Sequence, residues 1–188
     1  MRILIACEES QTVCKAFRAK GHEAYSCDVI PCSGGHPEWH IQDDVLKHLD
    51  DGWDMMIAHQ PCDYLANSGV RWLYEKPGRW QEMAKAAEFF NEVLNAKIPR
   101  KCCENPIQHK HARELIRKYD QLIQPYQYGE PYTKATCLWL DGLSPLMPTL
   151  IMSRRYPATH MEPPGVNRKR NRSRTYQGIA DAMSTQWG

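Results

Sequence analysis

The sequence predicts an α/β fold organised around a mainly parallel central sheet, and three observations carry that expectation. Apolar runs that read as strands buried on both faces alternate with amphipathic stretches of helical period. The first thirty residues give strand, helix and strand in quick succession. No internal repeat or clean boundary interrupts the alternation, so residues 1–188 are expected to form a single domain, long enough to bury a substantial core.

Taken in order, "RILIAC" (2–7) is a continuous apolar run and reads as a buried strand. In "SQTVCKAFRAKG", Ser10 is placed to cap a helix, Val13, Cys14 and Phe17 supply its apolar stripe, and Gly21 ends it. "EAYSCD" (23–28) is a second strand ending in Asp28. Strand, helix and strand at this spacing open a Rossmann-like unit. Pro31, Gly34, Gly35 and Pro37 mark 29–45 as loop. "WDMMIA" (53–58) is the next buried strand, and "RWQEMAKAAEFFNEVLNA" (79–96) is the strongest helix, with Met83, Ala86 or Ala87, Phe90 and Val93 or Leu94 at helical spacing. After Pro99, "KCCE" (101–104) reads as a strand and "HKHARELIRKY" (109–119) as a helix. Two late strands are expected near 122–127 and 137–140, then a basic, proline-rich segment at about 144–174 and a C-terminal helix at about 175–187.

"MRILIACEES" has one positive charge and meets acidic residues at once, unlike a secretory signal. No stretch approaches a membrane span. The eight cysteines are therefore expected to be reduced thiols of a cytoplasmic protein. The net charge is only +2, yet Arg154, Arg155, Arg168, Lys169, Arg170, Arg172 and Arg174 face a single acid, Glu162, within 154–174. Such a segment suits a phosphate-bearing partner, or else is a solvated basic tail.

In an open parallel sheet, ligands bind beyond the carboxyl ends of the strands. Glu8 and Glu9 follow the first strand, Asp28 ends the second, Cys62 follows "WDMMIA" and Glu104 closes "KCCE" just before Asn105-Pro106. One edge thus gathers carboxylates and a thiol. Cys62 follows Pro61 in a polar loop, where a cysteine serves chemistry better than packing.

On these residues the chain resembles the DNA cytosine-C5 methyltransferases, above all their very small, often phage-encoded members. "PCDYLANSG" (61–69) resembles the family's Pro-Cys loop, "CENP" (103–106) its Glu-Asn-Val block, and "YGEPYTKATCLWL" (128–140) its Tyr-Gly-x-Pro stretch. The blocks come in the family's order, with about forty residues between cysteine and glutamate. The resemblance implies a Rossmann-like class I fold and methylation of cytosine C5 in DNA from S-adenosylmethionine. It implies Cys62 as nucleophile, Glu104 as the acid at N3, and Lys134 near the base or a phosphate. For the cofactor it implies Cys7, Glu8, Glu9, Asp28 and Pro61, with Asp44 as the acid near adenine; Asp44 reads equally well as a helix cap. Nucleic-acid contact falls to Ser68, Arg71, Arg168, Lys169, Arg170, Arg172 and Arg174. A phage-encoded relative would act in the host cytoplasm.

The departures are specific. The family's glycine-rich turn is "CEESQT" here, its glutamine after the cysteine is Asp63, and Thr136 stands for its second arginine. No room remains for a large target-recognition domain, so selectivity is expected to be short, absent or supplied by an accessory protein. Pyrimidine C5 chemistry on RNA or a free nucleotide is an alternative, as is a non-catalytic nucleic-acid-binding relative. Amino-group methylation is disfavoured because "QPCDY" lacks a second proline. Cys27, Cys32, His36 and His40 approach a Cys2His2 spacing, but the stretch is too short to wrap a finger and overlaps Asp28, so no metal is expected. Oligomeric state is left open.

Overall fold

The computed structural model describes residues 1–166 and 168–188, and the side chains of these except His160, Lys169 and Arg170. Seven strands form one sheet: β1 (Arg2–Ala6), β2 (Glu23–Asp28), β3 (His40–Gln42), β4 (Met55–Ala58), β5 (Arg100–Pro106), β6 (Gln121–Ile123) and β7 (Thr136–Asp141). Their order is β3-β2-β1-β4-β5-β7-β6. All pairs are parallel except the two that β7 makes, with β5 and with β6. The expected α/β, Rossmann-like, mainly parallel sheet is what the chain forms. The helices are α1 (Thr12–Ala19), α2 (Trp72–Glu75), α3 (Arg79–Leu94), α4 (Ala112–Leu115), α5 (Ala158–Met161), α6 (Arg168–Ser173) and α7 (Gln177–Gln186).

Side chains leave a strand alternately to its two faces, and both faces are covered. Ile3 and Ile5 of β1, with Met55 and Ile57 of β4, pack against Val13 and Phe17 of α1 and Ile179 and Met183 of α7. Leu4, Ala6, Met56 and Ala58 face the other way, onto Met83, Ala87, Phe90 and Val93 of α3 and onto Trp139. Gly178 fixes the seat of α7, because a Cβ there would overlap the Tyr128 carbonyl oxygen.

Four local expectations are corrected. The 29–45 stretch holds β3, a three-residue edge strand stitched to β2; so short an element leaves no periodicity to read. Ser10 is not the N-cap residue of α1, a place Gln11 takes, and its hydroxyl makes only a long 3.5 Å contact with the Thr12 N–H. Instead the Glu8 carboxylate accepts the N–H groups of Val13 at 2.7 Å and Cys14 at 3.2 Å, a negative charge at the positive end of the helix. The helix expected over 109–119 is one turn. Beyond it Ile116 turns extended and is buried, and the Arg117 carbonyl accepts the Trp139 indole N–H at 2.7 Å. β5 runs on through Pro106 because β7 pairs with it to that residue. No helix among the described residues is long and apolar enough to cross a membrane.

Candidate active site

Strand register builds the site. Cys27, Ala6, Ala58 and Cys103 are aligned across β2, β1, β4 and β5. One residue further along each strand stand Asp28, Cys7, His59 and Glu104, a rank of ionisable groups on the carboxyl edge.

The half beyond β4 and β5 is built from two interlocked loops. The Cys62 carbonyl accepts the N–H groups of Leu65 at 3.1 Å and Ala66 at 3.0 Å, which turns the chain directly past the thiol. Asn67 then donates to the Ile107 carbonyl at 2.9 Å, and His109 donates to the Leu65 carbonyl at 3.1 Å. The His109 ring sits 2.9 Å from the Tyr64 carbonyl, and the Arg79 guanidinium donates to the Asp63 carbonyl while lying 4.0 Å over the Tyr64 ring. The segment carrying Cys62 and the one following Glu104 are thereby one unit.

Within it, His59 Nδ1 lies 3.5 Å from Glu104 Oε2, each side chain 10% exposed. Burial pushes the Glu104 pKa up, but His59 and, more weakly, Lys134 outweigh it and hold the carboxyl below its ordinary range. Burial likewise opposes charge on His59, and Glu104 with Glu8 overcomes it, so the imidazole pKa is raised. The Cys62 thiol pKa is raised by burial first and by Asp63 next, while Lys134 pulls it down. The resting thiol is therefore protonated, against the expectation that a polar loop spares it burial.

Polar atoms without partners gather here. Among the described residues, the buried side-chain atoms lacking a hydrogen-bond partner include His59 Nε2, both polar atoms of Gln60, Asn105 Oδ1 and Gln108 Nε2. All four residues follow β4 or close and follow β5. Asn105 commits its amide to the Gln60 carbonyl at 3.0 Å, and the Gln60 amide lies beside the Cys103 thiol. Buried polar groups are normally satisfied, so this cluster calls for partners from outside the chain, water or a bound molecule.

A strap lies against these residues. Lys134 Nζ donates to the carbonyls of Ser173 at 3.3 Å and Arg174 at 3.0 Å, and Thr175 Oγ1 is 3.5 Å from His59 Nδ1. The basic segment is thus anchored at the site by its end rather than trailing in solvent. In it, Arg174 is exposed, Arg168 and Arg172 are half-buried, and the Arg172 Nε lacks a partner; the side chains of Lys169 and Arg170 lie outside the described residues. Ser68 and Arg71 are exposed in the loop past Cys62, with the Arg71 guanidinium 4.2 Å over Trp72.

The half beyond β1 and β2 is internally satisfied. Cys7 and Gln11 both take φ 57°, the left-handed conformation that a glycine-rich turn would otherwise supply. Gln11 accepts the His36 N–H at 3.1 Å and donates to the His36 carbonyl at 2.7 Å, and Ser33 N–H donates to the Glu9 carbonyl at 2.8 Å. This folds the 29–36 loop onto the turn. Gly34 packs so closely on Gln11 that a Cβ would clash. Asp28, half-buried, accepts the Ile30 N–H at 3.2 Å and is also hydrogen-bonded by the Val29 backbone, which leaves part of its acceptor capacity; burial lifts its pKa. Val29 and Ile30 beside it are 68% and 51% exposed. Asp44 caps a short 3-10 turn through Leu46 N–H at 3.0 Å, and Pro61 is exposed. Glu8 is a correction: its carboxylate is buried against α1 and is not offered to a cofactor. The thiol of Cys7, like those of Cys27 and Cys103, is pushed far up by burial.

His40 engages both ring nitrogens, with Ser26 Oγ at 2.8 Å and the Ile30 carbonyl at 2.9 Å. Among the described residues no group of three or more histidine, cysteine or acidic side chains is arranged to hold a metal. Sequence reasoning missed His59, Gln60, Gln108 and Thr175. "HQ" immediately after a buried strand and before Pro-Cys was the available signal for the first two.

No family profile matches this chain, and no curated protein matches it. Solved structures share its fold. One is described as a DNA modification methyltransferase encoded within an Escherichia coli prophage: TM-score 0.50, 15% identity, 88% of this chain aligned to 56% of that one. Another is the Entamoeba histolytica methyltransferase EhMeth: TM-score 0.51, 12% identity, 89% of this chain aligned to 61% of that one. The chain has the Rossmann-like architecture of methyltransferases and spans rather more than half the length of these two.

Proposed function

We propose that this protein transfers a methyl group from S-adenosylmethionine to C5 of cytosine in DNA through a covalent bond between Cys62 and C6. The observation that carries the reading is that Cys62 and Glu104 are close enough to influence each other electrostatically and stand among buried polar atoms without partners. C5 of cytosine is too weak a nucleophile to take a methyl group unaided. Once the Cys62 thiol has given up its proton to water, its thiolate adds to C6 and makes C5 enamine-like, and Glu104 protonates N3 as charge gathers there. Gln60, Asn105 and Gln108 offer donors and acceptors for the base edge. Loss of the C5 proton to water and cleavage of the S–C6 bond release product and thiolate.

The residues beyond β2 fit the cofactor. Asp28 has free acceptor capacity for ribose hydroxyls, and exposed Val29 and Ile30 give an apolar wall for adenine. S-Adenosylmethionine, when bound, supplies the electrophilic methyl group. Lys134 lowers the Cys62 pKa, and entry of a flipped base requires the 173–175 strap to lift from Lys134. Selectivity in this reading is short or comes from an accessory protein, and the basic 168–174 arm takes phosphates.

The raised thiol pKa is the observation favouring a second reading, a non-catalytic nucleic-acid-binding relative. The test is mass spectrometry of nucleosides from DNA, RNA and free cytosine nucleotides incubated with the protein and labelled cofactor. Label in 5-methyldeoxycytidine supports the proposal. Label confined to RNA or nucleotide moves the substrate, and label nowhere with DNA still bound selects the second reading.

A further inference from the structure

His59 is unlike its neighbours. Its Nδ1 lies 3.5 Å from the buried Glu104 carboxylate of β5, and Glu8, in the turn after β1, acts on it electrostatically. Facing it from the other elements are the Lys134 ammonium and the Thr175 hydroxyl. Its Nε2 is buried with no partner. An ionised Glu104 buried without a cation is costly. A protonated His59 answers that charge, and moving its proton onto Glu104 leaves the pair without net charge.

We propose that His59 is a positioning residue that stores the proton Glu104 delivers to N3 of the target base, an inference that rests on the methyl-transfer reading. The imidazolium Nδ1–H passes its proton to Glu104 Oε2, and Glu104 passes it to N3. Meanwhile the Cys62 thiolate lone pair forms the S–C6 bond, the C5–C6 π pair moves to C4–C5, and the C4–N3 π pair takes the proton. The C4–C5 pair then takes the methyl group; at elimination the C5–H pair becomes the C5–C6 π bond as that proton leaves to water, the S–C6 pair returns to sulfur, and the N3 proton goes back through Glu104 to His59. The step is redox-neutral and consumes no co-reactant beyond the methyl donor. The rate then needs imidazolium and thiolate together, so it climbs with pH to the His59 pKa, which the carboxylates set above the ordinary 6.5, stays level, and falls once pH passes the raised pKa of the Cys62 thiol.

The experiment pairs a titration with a pH–rate profile. Nuclear magnetic resonance of ring-labelled histidines in the wild-type protein should show His59 titrating above its ordinary range, and lower in Glu104→Gln. His59→Gln should reduce kcat by about 100-fold, the scale of general acid catalysis, with KM and cofactor affinity within about twofold, and should erase the alkaline limb that the wild type shows. A wild-type His59 titrating at or below its ordinary range overturns the proposal without any variant having to fold. So does a His59→Gln enzyme that keeps the wild-type limb, and there the methyl-transfer reading survives. A wild type inactive on DNA, RNA and nucleotides overturns that reading and this store together, whatever the titration gives.

Discussion

The two halves of the carboxyl edge differ in how they treat polar groups. Beyond β1 and β2 nearly every donor is answered within the chain: Gln11 grips His36, His40 bridges Ser26 and Ile30, Asp44 caps its turn, and Glu8 caps α1. Beyond β4 and β5 the side chains of His59, Gln60, Asn105 and Gln108 are buried with atoms unanswered. The first half is a finished cradle whose remaining capacity is one carboxylate beside exposed apolar side chains. The second is unfinished until something with its own donors and acceptors enters, as expected of the side that takes the base.

Substitutions can break or sharpen that contrast. The largest effect is expected from Cys62→Ala, which should cut transfer at least ~1000-fold, about 4 kcal/mol of barrier, with cofactor affinity unchanged by calorimetry. Residual transfer near wild type would remove the thiol from the chemistry. Glu104→Gln should cost about 100-fold in kcat at preserved fold by circular dichroism. On the other half, Asp28→Ala should weaken cofactor binding about tenfold, ~1.4 kcal/mol, and leave DNA affinity alone; a reversed pattern would exchange the roles of the halves. Charge reversal at Arg174, read as the slope of DNA affinity against salt, should flatten that slope by about one unit for each phosphate the arm no longer neutralises. The smallest effect concerns stability against pH. Glu104, its pKa lowered, stabilises above its ordinary 4.5 and loses this as pH falls through the lowered value; His59, its pKa raised, stabilises below 6.5 and loses this as pH rises through the raised value. Their joint contribution should be full from about pH 4.5 to 6.5 and vanish from denaturation curves of His59→Gln.

The halves also differed in how far sequence could reach them. Cys62, Glu104 and Asp28 were legible because strand ends are legible: an apolar run stops, and the next polar residue sits on the binding edge. β1, β2, β4, α3 and β7 announced themselves by continuous or periodic apolar character. β3 did not, since three residues on a sheet edge carry no period, and α4 was overread because burial of Ile116 and the Trp139 hydrogen bond overrode helical propensity. The cap on α1 went to Glu8 rather than Ser10, a choice made by a left-handed residue, Gln11, that no propensity scale anticipates. His59 and Thr175 were out of reach for a different reason. They meet across 116 residues of chain, and only the closing of the sheet brings the strap to the pocket.

The central claim is that the Cys62 sulfur bonds to a pyrimidine carbon. Incubation with cofactor and an oligonucleotide carrying 5-fluorocytosine, which cannot lose its C5 substituent as a proton, should trap that bond, and digestion should map the added mass to the peptide holding Cys62. An adduct on Cys62 that disappears in Cys62→Ala is the predicted result. No adduct, or one on another residue, while the same protein methylates unmodified DNA, would contradict it.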